Sequence, residues 1–429
     1  MKKMDYQNVK GTQDYLPQEE ETRRWIRRAL EDVFIQYGCK PLETPILNYE
    51  GLLASKYGGG ADILEEMYTL SDRGGRELAL RYDLTIPFAK VMAMNPQISL
   101  PFKRYEIGKV FRDGPIKTGR LREFTQCDVD IAGIGSQAAE AELMMMAVDA
   151  FEKLGLPIVI QYNNRSLLTG LLQVFGTPED QINSVVLILD KLEKIGLHAI
   201  AAELEDQQLP NKTVKAIMDF LEEEKQADMA YFMQYENVND TIRQGAAELQ
   251  ELQQYIKAAG IDSFCCFNPL LARGLEIYTG TVYEIFLKDE SIKSSIGSGG
   301  RYDHAIGGLL GTGESISTVG ISLGLDVIYT AIKRSGQDQE RSAGPEFYII
   351  PMNTLKESLL VARTLRRRGC QAELDLSGRK LGKALERANK ERAAKAVIVG
   401  KNEVEQNQIL IKDMKTGEER REAFDFRKE

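Results

Sequence analysis

Histidine is almost missing from this chain of 429 residues, which contains only His198 and His304. Two histidines leave no histidine-rich metal site and no Ser-His-Asp set to assemble, and each reads as a surface or supporting residue rather than a catalyst. The five cysteines, Cys39, Cys127, Cys265, Cys266 and Cys370, are odd in number and scattered. With no Cys-x-x-Cys pair, they argue against a disulfide scaffold and a structural zinc site, so no metal ligands are assigned. No run approaches the roughly 18 uninterrupted apolar residues of a membrane span. The start, Met1-Lys2-Lys3-Met4-Asp5-Tyr6-Gln7, turns polar at once and carries no apolar signal region, so a cytoplasmic protein without membrane contact is expected. Two nucleotide motifs are missing as well. Gly378-Arg-Lys-Leu-Gly382-Lys383-Ala384 is one residue short of a P-loop and ends in alanine, and Tyr302 stands where Gly297-x-Gly299-Gly300 needs a last glycine.

What is present is ordinary for a globular chain: 43% hydrophobic and 28% charged residues, in a length that suggests about three domains. The formal charge of −9 is unevenly spread. Residues Ala343 to Glu429 hold 19 Lys+Arg against 14 Asp+Glu, leaving 36 against 50 for the rest. An acidic body therefore carries a mildly basic tail domain.

The first strong element is a helix from Pro17 to about Tyr37, with proline in its first turn, Glu19, Glu20 and Glu21 at the positive end of its dipole, and Gly38 as a stop. Short alternating runs follow at Leu78–Asp83, Lys103–Phe111 and Phe124–Ile131, then a helix over Ser136–Leu154 whose methionines read as core. Pro178 to about Ile256 is nearly all helical pattern and reads as an insertion. Strands resume at Gly274–Leu287 and Thr318–Leu323, separated by a glycine-rich loop from Ile296 to Gly313. After a polar linker, strands and helices alternate from Phe347 to Met414, the pattern of a small α/β domain.

Chemistry concentrates in arginines and carboxylates on the strand-rich part. Alternation puts Gln126, Asp128 and Asp130 on one face of a strand. A basic loop carrying Lys117, Arg120 and Arg122 precedes that strand. Arg273 and Arg301 lie on or beside two further predicted strands. A lone arginine on a strand is more often a salt-bridge partner than a phosphate ligand; several together with a glycine-rich loop point to a polyphosphate site.

These residues resemble the histidyl-tRNA synthetase family of class II aminoacyl-tRNA synthetases, over essentially the full length. The resemblance runs through Lys10-Gly-Thr-Gln-Asp14-Tyr-Leu-Pro17, Leu80-Arg-Tyr-Asp83-Leu-Thr85-Ile-Pro87 and the motif 2-like Phe111-Arg112 to Arg122-Glu-Phe-Thr-Gln126-Cys-Asp. It continues in Arg273-Gly-Leu-Glu-Ile-Tyr278, Gly299-Gly-Arg-Tyr-Asp303 and the stretch Ala343–Glu429, similar to an anticodon-binding domain. It implies an α+β fold: a class II antiparallel sheet core over 1–333 with a helical insertion at about 178–256, a linker at 334–344, and an α/β anticodon-binding domain over 345–429. It also implies a homodimer that uses ATP with Mg²⁺ to make histidyl-adenylate and transfers L-histidine to tRNA(His).

Under the resemblance, Arg112 and Arg273 are the catalytic pair, holding the ATP α-phosphate and the substrate carboxylate from two sides. Arginine suits this role because its planar fork stays charged and binds oxygens bidentately. Asp83, Thr85 and Gln126 would hold the α-ammonium, Asp130 and Tyr278 would read the imidazole nitrogens, and Arg120 and Arg122 would join Arg112 and Arg273 on ATP. The basic helix around Arg363, Arg366, Arg367 and Arg368 would meet the anticodon arm. Three departures from the family pattern stand out: Ile277 in place of the first tyrosine of a pair, His304 in place of a glycine, and Val327 where class II enzymes place the motif 3 arginine that clamps the γ-phosphate. Ile277 and Val327 lean toward a rival reading, the synthetase-like regulatory subunit of ATP phosphoribosyltransferase. The C-terminal domain leans against it. A non-catalytic tRNA- or histidine-sensing module is a second rival.

Overall fold

Two neighbouring ten-residue strands, the second buried along most of its length, set the frame of the larger part of the chain. The computed structural model describes residues 6–54, 64–117, 119–222, 228–271, 277–310, 315–336 and 344–427, which divide into two compact units, 1–335 and 336–429.

The first unit contains strands β1 (Lys40–Pro41), β2 (Leu47–Tyr49), β3 (Thr69–Ser71), β4 (Glu77–Leu80), β5 (Phe102–Phe111), β6 (Glu123–Ala132), β7 (Ile158–Asn164), β8 (Cys265–Phe267), β9 (Thr281–Leu287), β10 (Gly297–Arg301) and β11 (Thr318–Gly324). Eight of them form one sheet in the order β1-β5-β6-β11-β10-β9-β7-β8. Its pairings are antiparallel except for the two edge pairs, β1 with β5 and β7 with β8. β2, β4 and β3 make a separate small antiparallel sheet.

One face of the large sheet is covered by helices Pro17–Gln36 and Ala138–Leu154, whose apolar stripes enter a single core with Val129, Ile131, Ile321 and Leu323. The first of these helices starts at Pro17, whose missing N–H costs nothing in a first turn, and presents Ile26, Leu30, Val33 and Phe34 at helical spacing. The stretch expected to be helical holds helices Ile182–Leu189, Leu192–Asp206, Asn211–Glu222, Met229–Met233 and Asp240–Ala258. Their buried Val185, Leu204, Ile217 and Leu249 join the same core.

Two expectations change. The segment from Ile296 is no loop at its start, because β10 lies inside the sheet between β9 and β11. Glycine there reflects close approach: a Cβ on Gly299 would stand 2.1 Å from the Gly320 carbonyl oxygen. The strand expected from Gly274 begins at Thr281 among the described residues, and Arg273 lies outside them.

The second unit is a five-stranded sheet, β12 (Phe347–Pro351), β13 (Ala372–Leu374), β14 (Lys395–Val399), β15 (Gln408–Asp413) and β16 (Glu419–Ala423), in the order β13-β12-β14-β15-β16. Alternation along β12 and β14 divides its core between two faces. Phe347, Ile349, Val397 and Val399 pack on one side, and Tyr348, Ile350, Ala396 and Ile398 on the other. β16 has no counterpart in the sequence reading because all five of its side chains are exposed, so it shows no alternation. The molecule is an α+β protein with an antiparallel-rich core sheet and a separate α/β unit.

Candidate functional site

The register of β5, β6, β11 and β10 builds the site in cross-strand rows. Arg104 on β5 faces Asp130 on β6, which faces Gly320 on β11, which faces Gly300 on β10. Two residues along, Glu106 faces Asp128, which faces Ser322, which faces Ser298. Gln126 begins the next row, between Gly108 and Gly324. Because side chains alternate, both rows and Gln126 share one face of the sheet. Gly320 has no alternative at its place, since a Cβ there would lie 2.0 Å from Asp130 Oδ1.

Above these rows is a small cavity, partly open to solvent. Asp83, Thr85, Asp128, Asp130, Ile277, Tyr278, Tyr302 and Ser322 are among its walls. Asp83 and Thr85 arrive at the start of helix Thr85–Met94, where the Ile86 N–H donates to Asp83 Oδ1 at 3.1 Å. Ile277 brings an apolar wall that continues into the cluster of Phe88, Tyr302 and Ile306.

The floor is charged and buried. Arg104 is fully buried, with Nη2 2.6 Å from Asp130 Oδ2 and 3.0 Å from the Leu84 carbonyl, which accepts from it. Burial works against its charge, but Asp130, Asp128, Tyr302 and Glu106 outweigh burial and hold its pKa above the ordinary arginine value. Tyr302 donates its hydroxyl to Asp130 Oδ1. Glu106 is satisfied separately, by Arg81 Nη1 at 2.8 Å and by the Thr44 N–H and hydroxyl. Among the described residues Asp128 has no such cation. Burial pushes its pKa up to about 8, with Arg104 opposing and the nearby Asp130 reinforcing. Burial also holds Asp130 above the ordinary carboxylate value, against the pull of Arg104 and Tyr302.

Arg112 follows β5 directly. Its Nε donates to the Tyr82 carbonyl at 3.2 Å, one residue from Asp83, and its guanidinium stacks 4.2 Å from the Tyr82 ring centre and 5.1 Å from that of Phe124. The Tyr82 hydroxyl donates to Glu66, which also pairs with Arg120 at 3.2 Å. Arg122 pairs with Asp113 at 2.8 Å. Val327 is buried beneath this loop, where a Cβ on Gly119 would meet its Cγ2 at 3.0 Å.

Of the residues singled out from sequence, Asp83, Thr85, Asp130 and Tyr278 therefore line one cavity. Gln126 stands on its strand face, and Arg112, Arg120 and Arg122 stand on the adjoining loop. Arg301 is elsewhere in purpose: Glu140 holds its Nε at 2.6 Å and Nη2 at 2.7 Å, and the Ile134 and Ser136 carbonyls and Asp303 take the remaining donors, so it fastens β10 to helix Ala138–Leu154. Both histidines are exposed. Sequence reasoning passed over Arg104 and Glu106, whose signal was their alternation on a strand facing Gln126, Asp128 and Asp130.

The histidyl-tRNA synthetase family profile matches residues 11–328, and that of an anticodon-binding domain matches 346–426. Histidine–tRNA ligase 2 of Shouchella clausii is 56% identical over 426 residues, 99% of this chain and 100% of that relative. Histidine–tRNA ligase 1 of Bacillus anthracis is 53% identical over 417 residues, 97% of each chain. Among solved structures, histidyl-tRNA synthetase from Nostoc sp. PCC 7120 superimposes with a TM-score of 0.82 at 28% identity, covering 98% of this chain and 97% of that one. Sequence and fold agree, and the chain belongs to the histidyl-tRNA synthetase family.

Proposed function

We propose that this protein is a histidine–tRNA ligase, which activates L-histidine with ATP and passes it to tRNA(His). The observation that carries the reading is the cavity, where acidic and hydroxyl side chains line a small pocket one residue away from the mooring of Arg112. Asp83, Thr85 and Gln126 hold the α-ammonium, and Tyr278 with the carboxylates of β6, Asp130 as the family pattern has it, faces the ring. A carboxylate oxygen of histidine attacks the α-phosphorus of ATP, the bond to the bridging oxygen breaks and pyrophosphate leaves. A ribose hydroxyl of the tRNA then attacks the adenylate carbonyl, and AMP departs.

Little proton transfer is needed in the first step, so positioning and charge neutralisation dominate. Arg112 and Arg273 hold the reacting groups from two sides, with Arg120 and Arg122 on the outer phosphates. Mg²⁺ travels with the ATP phosphates, an arrangement that needs few protein carboxylates. Val327 offers no charge to the γ-phosphate, and Arg120, next to the glycine that touches it, is the substitute we assign. Domain limits follow the sequence reading: catalytic core 1–333 with insertion 178–256, linker 334–344, anticodon-binding domain 345–429. The working form is a cytoplasmic homodimer.

The test is histidine-dependent exchange of labelled pyrophosphate into ATP. Wild-type protein is expected to exchange, and Arg273→Ala to lose exchange by roughly 100-fold or more, the scale for removing a transition-state charge contact. Exchange that is absent, or indifferent to histidine, sinks the ligase reading. The regulatory-subunit alternative, toward which Val327 leans, would then take its place.

A further inference from the structure

The motif Lys10-Gly-Thr-Gln-Asp14-Tyr-Leu-Pro17 supplies none of the described cavity walls, yet it is anchored twice beside the basic loop. β11 ends at Gly324, opposite Gln126, so β6 continues through Thr125, Phe124 and Glu123 paired with β5 alone. Backbone donors there need acceptors from outside the sheet. The Thr125 N–H donates to Asp326 Oδ2 at 2.7 Å. The Gly11 carbonyl accepts from Glu123 N–H at 3.4 Å and from Arg122 N–H, just before the strand, at 2.8 Å. Gly11 has a φ of +87°, in the left-handed region, and a Cβ on it would stand 2.6 Å from Arg122 Cγ. The second anchor is Tyr15, whose hydroxyl donates to Asp326 Oδ1 at 2.6 Å. The buried Arg23 donates to the same oxygen, and its guanidinium lies 3.7 Å from the Tyr15 ring centre. Burial and the Asp326 charge hold the Tyr15 pKa above its ordinary value, which keeps the hydroxyl a donor. Asp326 thus joins the N-terminal motif, helix Pro17–Gln36 and β6 at one carboxylate, one residue before Val327.

We propose that the N-terminal motif is a brace for the ATP side of the site, with Gly11 and Tyr15 as positioning residues that fix Arg122 and the first residues of β6. The proposal rests on the ligase reading above, in which Arg122 meets the ATP phosphates. Gly11 acts through Arg122, and Tyr15 acts through Asp326. Between the two anchored stretches of backbone stands Phe124, whose ring centre is 5.1 Å from the Arg112 guanidinium. A shift of this stretch therefore moves Arg122 directly and the stacking partner of Arg112 with it. The histidine side is built differently, because Asp83, Thr85 and Tyr278 reach the cavity from other parts of the chain. Loosening the brace thus has a selective signature, weaker use of ATP with histidine binding preserved.

The experiment compares wild type, Gly11→Ala, Tyr15→Phe, Arg122→Ala and the double variant Gly11→Ala/Arg122→Ala. Histidine-dependent pyrophosphate exchange gives the KM for ATP and for histidine, calorimetry gives the Kd of each, and thermal melting follows the fold. Gly11→Ala is expected to raise the ATP KM and Kd by roughly 10- to 100-fold, the scale of a charged contact moved out of place. Its histidine Kd and melting temperature should stay close to wild type. Tyr15→Phe removes one hydroxyl and is expected to raise the ATP KM by roughly 2- to 10-fold, the scale of one hydrogen bond. In the Arg122→Ala background, Gly11→Ala is expected to add no more than about twofold, because its route to ATP is gone. An unchanged ATP KM in Gly11→Ala, full additivity with Arg122→Ala, or an equal loss of histidine affinity overturns the proposal. Wild type that binds ATP and histidine without exchange overturns the ligase reading alone, and the ATP Kd comparison then still decides the brace. Wild type that binds no ATP overturns both.

Discussion

Asp128 is held where its charge costs most, and the cost has a direction with pH. Its carboxyl, ordinarily near 3.8, is pushed up to about 8 in the folded chain, mainly by burial. Between those values the folded state binds a proton that the unfolded state has lost, so this group's contribution to stability is complete below pH 4 and is lost as pH rises through 8. Asp83 and Asp130 reinforce the shift, and Arg104 and Ser322 oppose it. Asp128→Asn removes the titration. Without ligand, the variant is expected to melt within about a degree of wild type at pH 5 and several degrees above it at pH 9. A gap that is equal at both pH values would mean that Asp128 ionises normally. Asp130 is the contrasting case, because removing its charge leaves Arg104 buried without its nearest partner, at a cost of about 3 to 5 kcal/mol.

At the scale of elements, the loop between β5 and β6 lies against Val327 of helix Leu325–Ser335, the position where the resemblance places a γ-phosphate arginine. Val327 fills the space under Gly119 with an apolar side chain, and the cation next to it in sequence is Arg120, tied to Glu66 at the surface. Arg120→Ala is expected to raise the ATP KM and lower kcat in pyrophosphate exchange, about 10-fold or more in kcat/KM, while leaving the histidine KM unchanged. A wild-type ATP KM in that variant would turn attention to Arg122 or Lys117. This loop also marks the limit of what sequence can say. β5 and β6 were legible because a Gly/Pro-containing loop separates two short strand-like runs, and the two-residue period of a strand aligned Gln126, Asp128 and Asp130, although β6 is buried along most of its length instead of alternating. The partner of each carboxylate was not legible, since it depends on a register between strands up to 200 residues apart. Gly320 opposite Asp130, Ser322 opposite Asp128 and Asp326 accepting the Thr125 N–H at 2.7 Å are all of this kind. β10 was misread for a related reason: its glycines mark crowding from β11, which looks like loop composition until the neighbour is known. Arg301 resembled a ligand-binding arginine until Glu140, 161 residues away, was found to hold it.

Across the whole molecule, the two units keep separate cores. Val129, Ile131, Ile321 and Leu323 belong to the large cluster of the first unit, and the second builds its two clusters only from residues beyond 346. Every described residue that lines the cavity also lies in the first unit. Under the proposed function, activation of histidine is therefore expected to need the first unit alone, and transfer to tRNA to draw on the second. Arg363, Arg366 and Arg367 are exposed there on helix Leu355–Arg367, beside Leu359 and Leu360. A chain ending at Ser335 is expected to keep histidine-dependent pyrophosphate exchange within about threefold of the full-length rate, since each core closes within its own unit. Its aminoacylation of tRNA(His) should fall on the order of 100-fold at 0.15 M salt, because the lost lysines and arginines supply phosphate contacts. The residual charging should also depend less steeply on salt than that of the intact protein. Parallel loss of exchange and charging would show that the second unit supports the catalytic pocket itself. Full charging by the shortened chain would show instead that the acceptor end, met by the basic loop of Lys117, Arg120 and Arg122, is sufficient for recognition.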